Sequence, residues 1–299
     1  MEFGRLDNVD RVKFTLPPDH PMTSEVLGKS ANKKPQVFAG CPVWGDPKFV
    51  GRIYPKGTKA GDFLKVYSTK FNAIELNMTG YRIPTREAVE AWANTVAKGF
   101  VFSPKVSKQI SNSNPLGKDD AALQRFCENV KALGNHLGPV FLQLAPHFSP
   151  IRLDQLYGFI ERWDKTIPLH IELRHPDWFT GDTALNDLFS FMRKNKIGTV
   201  ITDVTGRRDT LHQCLTTRTA FIRFDGHDLH PSDFKRLDEW AVRVKSWIDH
   251  GLEKVYFFVH TPKKYLNPEL SNYFLGRMNA LCGLDLKLAE IIKQPKSKS

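Results

Sequence analysis

The chain has 299 residues, 41% hydrophobic and 25% charged, with a formal net charge of +11 and a pI near 9.4. This is ordinary globular composition on a chain long enough to bury a sizeable core, and no apolar run approaches the ~20 residues needed to cross a bilayer. Cys41, Cys127, Cys214 and Cys282 are far apart with no CxxC pair, which argues against a zinc ribbon, a thioredoxin-like motif and a disulfide framework.

Residues 1–34 read as an N-terminal extension. They lack sustained periodicity, contain PPDHP and end in KSANKKP. A poorly ordered arm, with room for a short packed piece, is expected. The opening MEFGRLDNVDRVKF has acids where a signal peptide needs a basic and then an apolar stretch, so a cytoplasmic protein with no membrane contact is expected. The two chain ends are nearly balanced in charge, which leaves about eight positive units on the folded body. Such a body favours anionic partners, either phosphorylated small molecules or nucleic acid. A merely solvated basic surface is the plain alternative, because no Lys/Arg run forms a dense patch.

Next, in chain order, come eight short runs rich in Val, Ile and Phe: QVFAGC (36–41), NAIELN (72–77), GFVFSPK (99–105), PVFLQL (139–144), LHIELR (169–174), GTVITD (198–203), AFIRFD (220–225) and KVYFFVH (254–260). Most are separated by 12 to 20 residues with helical spacing. DDAALQRFCENVKALGNHLG stops on Gly, and DTALNDLFSFMRKNKIG starts on Asp/Thr and stops on Gly. PSDFKRLDEWAVRVKSWIDHG opens with Pro/Ser/Asp. The weakest helix is VTGRRDTLHQCLTTRT, between the sixth and seventh runs. Eight strand-then-helix repeats in about 250 residues predict an α/β fold of (β/α)8 TIM-barrel type, a single domain over residues 35–285. Residues 286–299 form a tail whose end, KQPKSKS, reads as disordered. A doubly wound sheet for nucleotide binding would need a Gly-rich phosphate loop after its first strand, and CPVWGD is not one.

Period two then sorts each strand into faces. Ile74 and Leu76 oppose Glu75 and Asn77. Phe100 and Phe102 oppose Ser103 and Lys105. Leu142 opposes Gln143, Ile171 and Leu173 oppose His170, Glu172 and Arg174, and Ile222 and Phe224 oppose Arg223 and Asp225. Val255, Phe257 and Val259 oppose His260. One face suits a helix layer, while the other carries polar groups toward the C-terminal end of each strand, where barrel proteins build their sites. Burying charge costs several kcal/mol per ion unless it is paired or wet. The polar ring is therefore expected to face a pocket, with an ion-pair network that only closes the barrel as the competing reading.

These residues also carry a resemblance. G-x-x-x-W (Gly40, Trp44) with Tyr54-Pro55, IELN-x-x-x-YRIP (74–84), Trp92 before FVFSPK, LGPVFLQLAP (137–146), IELRHPDWF (171–179) and IRFDG (222–226) occur in the order seen in the YecE-like family of TIM-barrel proteins, a family of unestablished activity. The resemblance covers about residues 38–281 and implies a barrel and a pocket, without supplying a reaction. The chain departs from the family at Ser111-Asn112, Ala145-Pro146 and Asp225-Gly226, where Thr-His, Pro-Pro and His-Gly are usual, so chemistry that depends on those two histidines does not carry over.

Within the expected pocket, Glu172 and then Glu75 are the acid/base candidates. The substrate-binding candidates are Trp44, Asn77, Tyr81, Arg82, Lys105, Gln143, Arg174, His175, Trp178, Asp203, Arg223, Asp225 and His260. Arg82, Lys105, Arg174 and Arg223 would clamp an anion or phosphate group. No cofactor is expected. Two alternatives stay open. One is a metal-dependent hydrolase or isomerase with Glu75, Glu172, Asp203 and His260 as ligands, which the neighbouring cations oppose. The other is a nucleic-acid-binding protein with Trp44, Tyr81 and Trp178 stacking bases. The sequence carries no stripe that marks an oligomer interface.

Overall fold

A computed structural model describes residues 3–28 and 34–292. Its strands are β1 (Gln36–Gly40), β2 (Ala73–Leu76), β3 (Val101–Pro104), β4 (Val140–Gln143), β5 (Leu169–Glu172), β6 (Gly198–Asp203), β7 (Thr219–Asp225) and β8 (Lys254–His260). Each falls within the expected segment or one residue of it. Every paired strand runs parallel, in a six-stranded sheet of order β1-β8-β7-β6-β5-β4 and a two-stranded sheet β2-β3. The fold is α/β, but among the described residues the strands do not form one closed ladder, which departs from the expected closed barrel.

The two sheets nevertheless meet at both junctions. Between β3 and β4, the Gly138 N–H donates to the Phe102 carbonyl at 2.8 Å and the Val106 N–H to the Phe141 carbonyl at 2.9 Å. Between β1 and β2 a side chain replaces the ladder. Asn72 accepts the Ala39 N–H at 2.9 Å and donates to the Val37 carbonyl at 2.8 Å. Gly40 permits this approach, since a Cβ there would lie 2.0 Å from the Ala73 carbonyl oxygen.

The helices are α1 (Pro21–Leu27), α2 (Phe63–Lys70), α3 (Arg86–Thr95), α4 (Lys108–Ser111), α5 (Asp120–Lys131), α6 (Leu153–Arg162), α7 (Asp182–Lys194), α8 (Pro231–Asp249) and α9 (Asn267–Cys282). Local chemistry sets their ends. Asp119 caps α5 by accepting the Ala122 N–H, and Pro231 opens α8 behind His230. α9 stops where Gly283 turns left-handed at φ 60°. The apolar strand faces pack outward against these helices in three clusters. Inside, Ala73, Val101, Phe141, Val200, Phe221, Tyr256 and Phe258 form a smaller cluster drawn from six strands. None of the described helices is long and apolar enough to cross a membrane.

Between β6 and β7 the expected weak helix is absent. Residues 204–218 hold only a 3-10 turn at Arg208–Thr210. Gly206 and the Thr-rich remainder are poor helix formers. α1 covers this stretch instead. Thr23 donates its hydroxyl to the Gln213 carbonyl at 2.9 Å and accepts the Leu215 N–H at 2.9 Å. His20 meets Asn186 of α7 at 2.9 Å, while Asp19 accepts the Trp247 indole N–H of α8 at 2.9 Å. Met22 joins the core cluster that holds Leu188 and Phe189, and Leu27 joins the one that holds Val244 and Trp247. Burying two such side chains stabilises the fold by roughly 1.5–3 kcal/mol each. The expectation of a loosely held extension therefore gives way, over residues 3–28, to a packed segment. Beyond α9, Asn279 and Asn272 hold the backbone of Leu286 and Ala289 in reciprocal hydrogen bonds. KQPKSKS, at 293–299, lies outside the described residues.

Candidate functional site

The inward faces of β2, β5, β7 and β8 bring buried charge together at their C-terminal ends. Arg223 is the centre of it. Its Nε and Nη2 donate to Glu75 at 2.9 and 2.8 Å, a two-point pairing, and its Nη1 donates to Glu172 at 2.6 Å. Glu75 also accepts from Asn77 at 2.7 Å and meets His260 Nε2 at 3.0 Å. Glu172 accepts from Gln143 at 2.9 Å and from Arg174 Nε at 2.8 Å. Gln143 in turn accepts from Lys105 Nζ at 2.7 Å. Both glutamates are 0% exposed, so their cost of burial is met by fixed, charged donors.

These contacts set the protonation states. Burial pushes the Glu75 carboxyl up, but Arg223 and then His260 outweigh it and hold the group well below the usual carboxylate range. Burial acts the same way on Glu172, and Arg174 and Arg223 overcome it, bringing the group down to about 2. Lys105 moves the other way. Burial first, and the neighbouring Arg223 charge second, lower its ammonium to about 8. For His260, burial outweighs the attraction of Glu75, so its pKa falls. His170, deeper on the same face of β5, is brought down to about 4 by burial and lies against the Phe221 ring at 5.7 Å.

The cations are unevenly used. Arg223 is saturated. Among the described residues, Lys105 Nζ hydrogen bonds only to the neutral Gln143, and Arg174 uses only Nε, leaving its two terminal nitrogens without a hydrogen bond. The Lys105 stem lies against Gly80, where a Cβ would sit 2.9 Å from Cδ. Asp225, also on the inward face, is paired by a residue outside the strands. Arg5 donates to it through Nη2 at 2.5 Å and Nε at 3.3 Å.

Of the candidate residues, nine come together here: Glu75, Asn77, Lys105, Gln143, Glu172, Arg174, Arg223, Asp225 and His260. Five do not. Asp203 faces the helix layer, where Arg236 Nη2 lies 2.7 Å away, the Trp240 indole donates at 2.7 Å and Arg208 pairs with it. The four metal ligands of the alternative reading therefore do not converge, and Arg223 stands between Glu75 and Glu172. Trp178 is fully buried, its indole donating to the Phe148 carbonyl at 2.8 Å. Trp44 packs edge-on against Trp92 at 6.2 Å. Tyr81 alone of the three proposed stacking aromatics is well exposed, at 78%, so no base-stacking platform forms from them. Arg82 is exposed on the turn after β2, lining a shallow groove with Met78 and Trp92. His175 caps the following 3-10 turn by accepting the Asp177 N–H.

Sequence reasoning missed the covering residues, Phe3, Arg5 and Arg207. The Phe3 ring lies between two guanidinium groups, 4.4 Å from Arg174 and 4.6 Å from Arg207. No periodicity marks MEFGR, and nothing in it points to a strand end some 170 to 220 residues away.

The wider comparisons agree with the family motifs. The family described as "Protein of unknown function DUF72" matches residues 38–289. The UPF0759 protein YecE of Escherichia coli (strain K12) is 27% identical over 252 residues, covering 78% of this chain and 89% of that one. The UPF0759 protein YunF of Bacillus subtilis (strain 168) is 25% identical over 154 residues, 48% of this chain and 52% of that one. A crystal structure of a DUF72 family protein from Enterococcus faecalis V583 superposes with a TM-score of 0.65 at 17% identity, covering 84% of this chain and 99% of that one. That likeness speaks to the fold. With the family match running from β1 to the segment after α9, the chain belongs to the YecE-like DUF72 family, whose function is not established.

Proposed function

We propose that the eight strands close as a (β/α)8 barrel and that its C-terminal end binds a small anion or a phosphate-bearing molecule. The inner cluster shared by six strands and the bridges at both sheet junctions support the closure. One observation carries the anion reading. Lys105 and Arg174 are cations drawn largely out of water and, among the described residues, have donors to spare, beside carboxylates that are already saturated. A guanidinium edge and an ammonium on one rim suit a phosphate or carboxylate.

In this reading Glu75 and Glu172 hold Arg223 and Arg174 in place and do not move protons, because groups held so far below neutrality carry no proton to give at neutral pH and are weak bases. Lys105, at about 8, is the group matched to proton transfer near neutral pH. The test is thermal unfolding with sulfate, phosphate, pyrophosphate and nucleotides, beside Arg174→Ala. An anion at a hundred times its Kd stabilises the native state by about 2.7 kcal/mol. A rise in midpoint that vanishes in Arg174→Ala supports the pocket. No rise with any anion, in the wild type or in a Phe3→Ala/Arg5→Ala variant, together with a strongly destabilised Arg174→Ala, would show that the charge ring only holds the strands together.

A further inference from the structure

The N-terminal segment does more than lie across the strand ends. Its backbone and side chains are matched to them point by point. The Phe3 ring fills the slot between the Arg174 and Arg207 guanidinium groups. Arg5 reaches Asp225, a carboxylate with 0% exposure for which Arg5 is the cation partner among the described residues. Between them, the Gly4 carbonyl accepts the Gly206 N–H at 2.6 Å, and the Leu6 N–H donates to Thr205 Oγ1 at 3.0 Å. Two glycines face each other across this contact. Gly4 has φ +69°, and a Cβ on it would meet Arg207 Cγ at 2.3 Å. A Cβ on Gly206 would meet the Gly4 carbonyl oxygen at 2.6 Å. The arrangement reads an aromatic ring, a residue without a side chain and a guanidinium, in that order.

We propose that Arg174, Arg207, Thr205, Gly206 and Asp225 form a recognition site for an aromatic–glycine–arginine peptide segment, which the chain fills with its own Phe3–Arg5, and that this bound segment closes Arg174 to an anion. The closing half rests on the anion reading above; the peptide site does not. The occupant is committed by the structure to residues of this chain. A segment tethered in cis acts at an effective concentration on the order of millimolar, so a docked segment implies an intrinsic Kd below that level.

The experiment uses the full chain carrying Phe3→Ala and Arg5→Ala, two changes outside the strands. A labelled peptide of sequence MEFGRLDN is titrated to several times the effective concentration, and amide exchange at residues 3–7 is followed in parallel. The wild type is expected to protect the Leu6 amide and to bind no peptide. The double variant is expected to lose that protection and to bind the peptide with a sub-millimolar Kd. Peptides with Ala in place of Phe or Arg should bind at least tenfold more weakly, and Asp225→Asn added to the double variant should abolish binding. Free exchange at Leu6 in the wild type, or a released segment with no peptide binding, overturns the site. Sulfate titration of both proteins separates the two readings. Tighter sulfate binding by the double variant, reversed by peptide, supports closure. Equal sulfate binding with peptide bound overturns closure. No sulfate binding to either protein while the peptide binds overturns the anion reading and leaves the peptide site standing.

Discussion

Arg223 decides the character of the site. It is a buried cation whose three outer nitrogens are all used by Glu75 and Glu172. Arg223→Met leaves two buried carboxylates without their main partner and is expected to cost about 3–5 kcal/mol in urea unfolding. Arg174→Ala removes one partner of Glu172 and should cost far less. Glu172 fixes an acid limit. Its folded pKa of about 2 lies below the unfolded value near 4.5, so its contribution is complete above about 4.5 and is lost as pH falls through 2. Stability measured from pH 5 to 2 should therefore fall by about 3 kcal/mol on account of this residue, and Glu172→Gln should flatten that slope. Lys105 sets a limit on the alkaline side. It loses its charge near 8, so sulfate affinity should fall between pH 7 and 9, and Lys105→Met should bind weakly with no such fall.

Among the elements, the strands were legible and one helix was not. Most strands show their faces in the alternation of their own residues, as Ile171 and Leu173 against Glu172 and Arg174 do. Asp203 was misplaced because GTVITD is β-branched or apolar on both faces, and period two does not choose between them. Asp203→Asn is expected to cost about 3 kcal/mol, since it cuts the ion pair to a fully buried Arg236, while leaving sulfate affinity unchanged. The missing helix between β6 and β7 reads poorly in the sequence because its cover comes from α1, nearly 190 residues earlier. At the β1–β2 junction, Asn72→Ala leaves the Ala39 N–H and the Val37 carbonyl without their partner. A loss of about 1–3 kcal/mol is expected, with faster amide exchange at Ala39 as the local readout.

Across the whole molecule, the net charge of +11 sits apart from the site. The inward ring is close to balanced, with Glu75, Glu172 and Asp225 against Arg223, Arg174, Lys105 and Arg5. Most other ion pairs are partly solvated and contribute little each. Added salt should therefore screen surface repulsion without reaching the ring. Unfolding free energy between 0.05 and 0.5 M NaCl is expected to change by less than about 1 kcal/mol, with a slight rise. A steep loss would place the stabilising charge pairs on the surface.

The strand positions, their inward polar faces, the outward apolar cores and the family were all readable along the chain. They depend on local alternation and on motifs that lie within single strands or loops. Which polar residues meet, and which of them keep donors to spare, was decided only in three dimensions. Arg223 pairs with Glu75 across 148 positions, and Arg5 pairs with Asp225 across 220. No periodicity spans such distances. The N-terminal segment shows the difference most clearly. Read alone it lacks a pattern, because the partners that order it are the Arg174–Arg207 slot, Asp225 and the uncovered stretch between β6 and β7, which exist only once the strands have assembled.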